Sequence, residues 1–292
     1  MKFCSQNLEN APESLWLIKV RKNSSFEPFL KQGIVGQLVG AGGIGKTHFL
    51  VQLALSIVTG VPFLEEYTTG RPGNVFLGLG ENSEDDLHRL LHKMVTSLKF
   101  SQNQKIEASK RLAIMSFCGM DASFVKDKSP TAFYNNLFNE LKIKEPDDGW
   151  SLIIFDPISR LLGADAENDN AAATQFISLL ERLSLELSGK PTILFGHHMS
   201  KAGFGNIDTD QTAARGSSAL TDGVRWQANL EKVQMESSNE TDRTKIKFKV
   251  VKSNFTEIPD SQILEKDKLG CLFNHKSESD NNQRVIASNR KQ

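Results

Sequence analysis

Gly33-Ile34-Val35-Gly36-Gln37-Leu38-Val39-Gly40-Ala41-Gly42-Gly43-Ile44-Gly45-Lys46-Thr47 is the stretch from which the rest of the chain can be read. It opens on a short apolar run that ends at Val39, a strand candidate. Gly40–Thr47 then fits the spacing G-x-x-x-x-G-K-[ST]. Glycines let several backbone N–H groups converge on one anion. After Lys46, residues Phe49, Leu50, Leu53, Ala54, Ile57 and Val58 keep helical spacing, and Gly60 and Pro62 end the run. A helix starting there points its positive N-terminus at the same anion. In that setting Lys46 neutralises β- and γ-phosphate charge and the Thr47 hydroxyl ligates Mg²⁺. The reading assigns ATP with Mg²⁺ to Gly40, Ala41, Gly42, Gly43, Ile44, Gly45, Lys46 and Thr47, with His48 beside them. A glycine-rich turn with an exposed lysine is the alternative, and the strand before and helix after the loop weigh against it.

Downstream, strands and helices alternate. Asn74–Leu79 reads as a buried strand, followed by a helix over Asn82–Lys99. Leu112–Phe117 is a strand, and Ser129–Leu141 a helix with Ser129 or Thr131 near its cap. Ser151–Phe155 is a continuous apolar strand ending in Asp156, and Asp169–Leu187 is a long amphipathic helix. Thr192–Phe195 is another strand, ending in Gly196-His197-His198. Arg225–Val233 and Lys245–Phe255 form a terminal pair of strands. Continuous apolar strands between helices mean a mostly parallel sheet covered on both faces. The fold class is therefore α/β, a P-loop NTPase sheet flanked by helices with terminal antiparallel strands. Residues 1–32 read as an arm or short helix, 33–272 as the ATPase domain, and 273–292 as a polar tail.

Composition narrows the partners. Lys+Arg and Asp+Glu both number 35, so a uniformly basic nucleic-acid coat is excluded, and any such partner must be held by local loops or a ring channel. Cys4, Cys118 and Cys271 are far apart and form no metal-binding pair, which fits small apolar residues of an intracellular protein. No stretch approaches the roughly 18 apolar residues of a membrane span. The expectation is a soluble, cytoplasmic protein without a membrane partner.

Three further positions carry chemistry. Asp156 ends an apolar strand, and in a parallel sheet that end lies beside the phosphate loop, where a carboxylate holds Mg²⁺ through water. Opening a turn before Pro157 is its other reading. Glu81 follows the strand Asn74–Leu79 and can orient the attacking water, or it can cap the next helix. A side chain at His197-His198 can touch both the γ-phosphate and the following loop, coupling nucleotide state to loop position. Adjacent strand residues face opposite ways, which argues against a two-histidine metal site. Arg215 and Arg225 come late in the domain, and on sequence grounds each is equally a solvated arginine.

The phosphate loop, Glu81, Asp156, His197-His198-Met199-Ser200-Lys201 and Arg215-Gly216-Ser217-Ser218…Val224-Arg225-Trp226-Gln227 occur in one order. Together they resemble the RepA family of hexameric replicative DNA helicases of plasmids, which are RecA-like P-loop ATPases of the AAA kind. The resemblance spans about residues 11–255. It implies that Lys46 and Thr47 hold phosphate and Mg²⁺, that Glu81 is the catalytic glutamate, and that Asp156 is the second acidic motif. It implies that His198 senses the γ-phosphate, and that Arg225 is an arginine finger inserted from a neighbouring subunit, with Arg215 near that interface. The chain would then form a hexameric ring of identical subunits around single-stranded DNA. The loops after Asp156 and His198, with Arg160 and Lys201, would face the channel. The segment 160–170 is acidic and asparagine-rich rather than basic, and Lys201 is the one lysine between Met199 and Arg215. Three readings follow: a replicative helicase, a regulatory ATPase of a mobile element that assembles on ATP without unwinding DNA, and a P-loop kinase, in which His198 and the late arginines lack a role.

Overall fold

A computed structural model describes residues 16–22, 25–163, 169–200, 209–214, 216–234 and 241–275. Lys201 and Arg215 lie outside the described residues. In chain order the strands and helices are β1 (Trp16–Lys22), β2 (Ser25–Lys31), β3 (Val35–Gly40), α1 (Lys46–Thr59), β4 (Tyr67–Thr68) and β5 (Asn74–Leu79). They continue with α2 (Glu84–Ser97), α3 (Gln102–Arg111), β6 (Leu112–Ser116), β7 (Val125–Lys126), β8 (Ser129–Pro130), α4 (Ala132–Ile143) and β9 (Trp150–Asp156). The last are α5 (Asn170–Glu186), β10 (Thr192–His198), α6 (Ser218–Gly223), β11 (Trp226–Gln234), β12 (Thr241–Ser253), β13 (Gln262–Lys266) and β14 (Leu272–Asn274).

The main sheet has nine strands in the order β14-β13-β12-β11-β3-β10-β9-β5-β6. From β11 to β6 every neighbouring pair is parallel, and β12, β13 and β14 add on antiparallel. This is the α/β class expected, with a longer antiparallel edge than the two terminal strands read from the sequence. The parallel strands are apolar throughout because each is buried on both faces. In β9, Leu152 and Ile154 join the apolar cluster around α1, while Ile153 and Phe155 join the cluster around α4 and α5. Strand residues alternate between faces, so two helix layers require apolar side chains at both parities.

Local differences have local causes. Residues 16–22 and 25–31 form strands rather than a helix: β1 pairs antiparallel with β2 and with β4 in a separate small sheet. Ile18, Phe29 and Leu30 bury in the α1-side cluster, and the Phe29 ring packs at a tilt against Tyr67, centroids 4.4 Å apart, so the hairpin closes that face. Helix α4 begins after Thr131, whose side chain accepts from the Tyr134 N–H, while Ser129 is drawn into a two-residue pairing with Val125–Lys126. Helix α3 was not anticipated: its residues are mostly polar and it buries only Ala108. β14 runs across the boundary expected at residue 272, because Gln52 of α1 exchanges side-chain hydrogen bonds with the Leu272 backbone (2.8 and 2.9 Å). Cys271 is buried beside it, whereas Cys118 is exposed. No helix among the described residues is long and apolar enough to cross a membrane.

Candidate nucleotide-binding site

β3 delivers the loop Ala41–Gly45 to the start of α1 at the C-terminal edge of the parallel sheet. Gly43 and Gly45 have φ of 74° and 119°, values that L side chains resist, and nothing lies within 4 Å of where a Cβ on Gly42 or Gly43 would project. The loop is therefore open on its outer side. Lys46 folds back over it, donating to the carbonyls of Gly40 (2.8 Å) and Ala41 (3.1 Å), with its Nζ 3.4 Å from His198 Nδ1. Burial lowers the Lys46 pKa, opposed by the nearby Asp156 and Glu81 carboxylates. The ammonium is held among groups that leave room for an anion's charge.

Asp156 ends β9 on the α1 side of the sheet, and the Thr47 hydroxyl donates to its Oδ2 at 2.5 Å. That contact, rather than the opening of a turn, is what occupies the carboxylate. Its Oδ1 is buried with no hydrogen-bond partner, and burial pushes the Asp156 pKa up to about 6, against the Thr47 bond and the Lys46 charge. An unsatisfied buried carboxylate oxygen beside a hydroxyl suits Mg²⁺, a hard cation that takes one or two protein oxygens and keeps several waters. Among the described residues no cluster of three His, Cys, Asp or Glu side chains offers a softer metal a site. The neighbouring strand makes room for the carboxylate: a Cβ on Gly196 of β10 would lie 1.8 Å from Asp156 Oδ1.

Glu81 leaves the end of β5 into the same cleft, about half exposed. It does not cap α2. Ser83 does, accepting from the Asp86 N–H, so the capping alternative for Glu81 falls away. Arg160, in a short 3₁₀ turn after Pro157, packs its stem over Gly80 and sets its Nε 3.9 Å from Glu81 Oε1. The cleft has a volume of about 540 Å³ and takes in Lys46, Thr47, His48, Glu81, Asp156 and His198. Residues far apart in sequence thus meet in one cleft beside the glycine-rich loop.

The sequence model of a family described as an AAA domain matches residues 16–203, well over half of the chain. The chain belongs to the AAA domain family. A solved structure titled "ATPase Domain of G40P" superposes with a TM-score of 0.58 over 84% of this chain and 85% of that one, at 13% sequence identity. At that identity the likeness concerns the fold, a RecA-like P-loop architecture.

The AAA domain splits its histidine pair across the sheet. His198 faces α1 and Lys46, whereas His197 faces the other layer, where its Nδ1 lies 3.1 Å from Gln37 Oε1. From there a buried polar chain runs along the sheet. Gln37 donates to Gln227 (2.8 Å), Gln227 to Asn229 (3.0 Å), and Asn229 to Thr209 Oγ1 (2.8 Å) and the Asp210 carbonyl (2.9 Å). The Thr209 N–H and hydroxyl in turn reach Glu231. This chain ties residues 209–210 to the strand that ends in the histidines. Part of its signal was in the sequence: Gln37 interrupts the apolar run of β3, whereas Gln227 and Asn229 alternate with apolar residues along β11, a pattern shared with a solvated strand face. Arg89, Lys93 and Lys266, which also line the cleft, had no such signal.

Arg225 is not brought to the site within the chain. It is exposed, and its N–H donates to the Val35 carbonyl (2.8 Å) at the start of β3, whereas the phosphate loop leaves the far end of that strand. At about 3.3 Å per residue the two levels are roughly 17 Å apart, beyond the reach of an arginine side chain.

Proposed function

We propose that this AAA domain is an ATP-hydrolysing, Mg²⁺-dependent RecA-like motor, a replicative DNA helicase that works as a hexameric ring on single-stranded or forked DNA. The observation that carries the reading is the convergence of Lys46, Thr47, Asp156, Glu81 and His198 at one edge of the parallel sheet. In the reaction, Lys46 and the loop amides bind the phosphates. Thr47 and, through water, Asp156 would hold Mg²⁺, which would supply charge neutralisation on the phosphate oxygens. Glu81 accepts a hydrogen bond from the attacking water and orients it in line with the γ-phosphorus. His198, in contact with Lys46, registers the γ-phosphate and passes its presence to the segment after Met199. Arg225 completes the site from a neighbouring copy, which its distance from its own chain's loop supports.

One observation favours a second reading. Arg160, a residue that would contact DNA, is drawn toward Glu81, and net charge is zero. A regulatory ATPase that assembles on ATP without unwinding would need no more basic surface than this. Strand displacement on a forked duplex decides between them. The helicase reading expects ATP-dependent unwinding and an ATPase rate stimulated by single-stranded DNA. Hydrolysis with neither effect, at low salt, would leave the regulatory ATPase.

A further inference from the structure

We propose that Lys93 and Lys266 clamp the α-phosphate of the bound nucleotide, so that helix α2 and the antiparallel edge of the sheet contribute directly to nucleotide affinity. The inference deepens the triphosphate reading of Gly40–Thr47 and rests on it. Both lysines line the same cleft as the phosphate loop, Lys93 from the second half of α2 and Lys266 from the last position of β13. The two segments are locked together there. The Asp267 carboxylate gathers the turn after β13: its Oδ1 accepts from the N–H groups of Leu269 (2.9 Å) and Cys271 (2.8 Å), and its Oδ2 from the Ser97 hydroxyl at the end of α2. The Cys271 thiol lies 4.0 Å from the carbonyl of Met94, the neighbour of Lys93. Gly270 brings the same turn against α1 with a φ of 96°, and a Cβ there would stand 2.5 Å from the His48 ring. The backbone that carries Lys266 is thereby fixed both to α2 near Lys93 and to the residue that follows Thr47.

The formal charge of a nucleotide is confined to its phosphates, so cations set in the cleft address them. Two charge environments share that cleft. Lys46 feels the carboxylates of Asp156 and Glu81, the groups of the hydrolytic end. His48, one residue past Thr47 on α1, feels Lys266 and Lys93 instead: burial first, and then those two charges, lower its pKa, opposed by Asp267. The β- and γ-phosphates go to Lys46 and the loop amides, beside Glu81 and His198. The α-phosphate is the next anion toward the nucleoside and falls to the second environment. It is common to ATP and ADP, so a contact to it strengthens both complexes and the transition state alike. Such uniform binding sets KM and leaves kcat alone.

The test measures the affinity of the full chain for ADP and for a non-hydrolysable ATP analogue, with KM and kcat for ATP. Wild type is compared with Lys93→Ala combined with Lys266→Ala, and with Lys93→Arg combined with Lys266→Arg. Hydrogen bonds to charged groups are strong enough that the alanine pair should weaken both nucleotides by one common factor of about tenfold. KM for ATP should rise by a similar factor, with kcat within about twofold of wild type. The arginine pair keeps both charges and should retain most of the affinity. Because solvent-exposed charges are screened, the alanine penalty should shrink as salt is raised, which a merely structural defect would not do. Wild-type affinity in the alanine pair overturns the inference. So does a loss confined to the ATP analogue, which would put the lysines at the γ-phosphate, or a loss that is equal in the arginine pair and indifferent to salt. Those outcomes leave the triphosphate site standing. Failure of wild type to bind either nucleotide overturns both readings.

Discussion

Replacing Gly196 by alanine tests the metal-holding geometry without touching a proposed ligand. The new Cβ would lie 1.8 Å from Asp156 Oδ1 and 2.7 Å from its Cγ, distances that real Cβ atoms do not tolerate. The carboxylate is also tied to Thr47 at 2.5 Å, so moving it away from β10 disturbs both groups that would hold Mg²⁺. Relief demands a shift of about 1 Å or more, and a misplacement of that size at a reacting centre costs on the order of 100-fold in rate. That loss corresponds to about 2.7 kcal/mol of barrier. Overpacking should separately cost about 1–3 kcal/mol of stability. The two effects can be separated with Gly36→Ala, whose Cβ would meet Leu194 Cδ2 at 2.8 Å and the Trp226 carbonyl at 3.2 Å, also within the sheet but at the start of β3. Both variants should lower the denaturation midpoint, while Gly196→Ala alone should lose kcat and need more Mg²⁺. The assay is ATP turnover across an Mg²⁺ titration, at a temperature where circular dichroism shows both variants folded. Wild-type kcat at the wild-type Mg²⁺ requirement in Gly196→Ala would refute the reasoning.

Glu81→Gln should bind ATP normally but hydrolyse it at least tenfold more slowly, since phosphate contacts remain and water orientation is lost; equal loss of binding in a nucleotide-affinity measurement would make Glu81 structural. Arginine fingers supplied by a partner are worth about 10³–10⁵ in rate in GTPases, so turnover per subunit should rise with protein concentration, and mixing Arg225→Ala with Lys46→Ala subunits should recover activity that neither has alone. A fully active monomer would remove the role in trans. Because burial raises the folded Asp156 pKa to about 6, the metal-free protein binds its proton more tightly than the unfolded chain, and the carboxylate lowers stability above pH 6, a penalty that disappears as pH falls from about 6 toward 4. Asp156→Asn should therefore stabilise the metal-free protein at pH 7.5 with the difference shrinking by pH 4.5, and melts showing a pH-independent difference would contradict this. Gln227→Leu strands the Gln37 amide and the Asn229 carbonyl oxygen in the interior, at about 1–3 kcal/mol for each unsatisfied group; unchanged urea denaturation would show that the polar chain carries no stability.

The phosphate loop was legible because its chemistry is contiguous. One strand, a glycine-rich turn and a helix start suffice to aim amides, Lys46 and Thr47 at one anion, and all lie within fifteen residues. The parallel strands were legible for a similar reason, since burial on both faces leaves an unbroken apolar run such as Leu152–Phe155. Edges were less so. The β1–β2 hairpin was read as an arm or short helix because its partners, Tyr67 and the α1-side core, are supplied by distant segments. Helix α3 has too little apolar surface to announce itself.

Sequence alone determined which residue types could act: a lysine and threonine on a phosphate loop, acids at strand ends, and a histidine pair that alternation splits between faces. Tertiary structure decided which of them meet. The strand order β5-β9-β10-β3 sets Glu81, Asp156 and His198 side by side at Lys46, and the same order leaves Arg225 at the opposite edge. It also decided the room each has, since Gly196 admits the Asp156 carboxylate only because β10 lies beside β9. The physical reason is that side-chain chemistry and local backbone preference act over a few residues. Strand neighbours are chosen by how whole layers bury their apolar faces, a property that no single window of the chain contains.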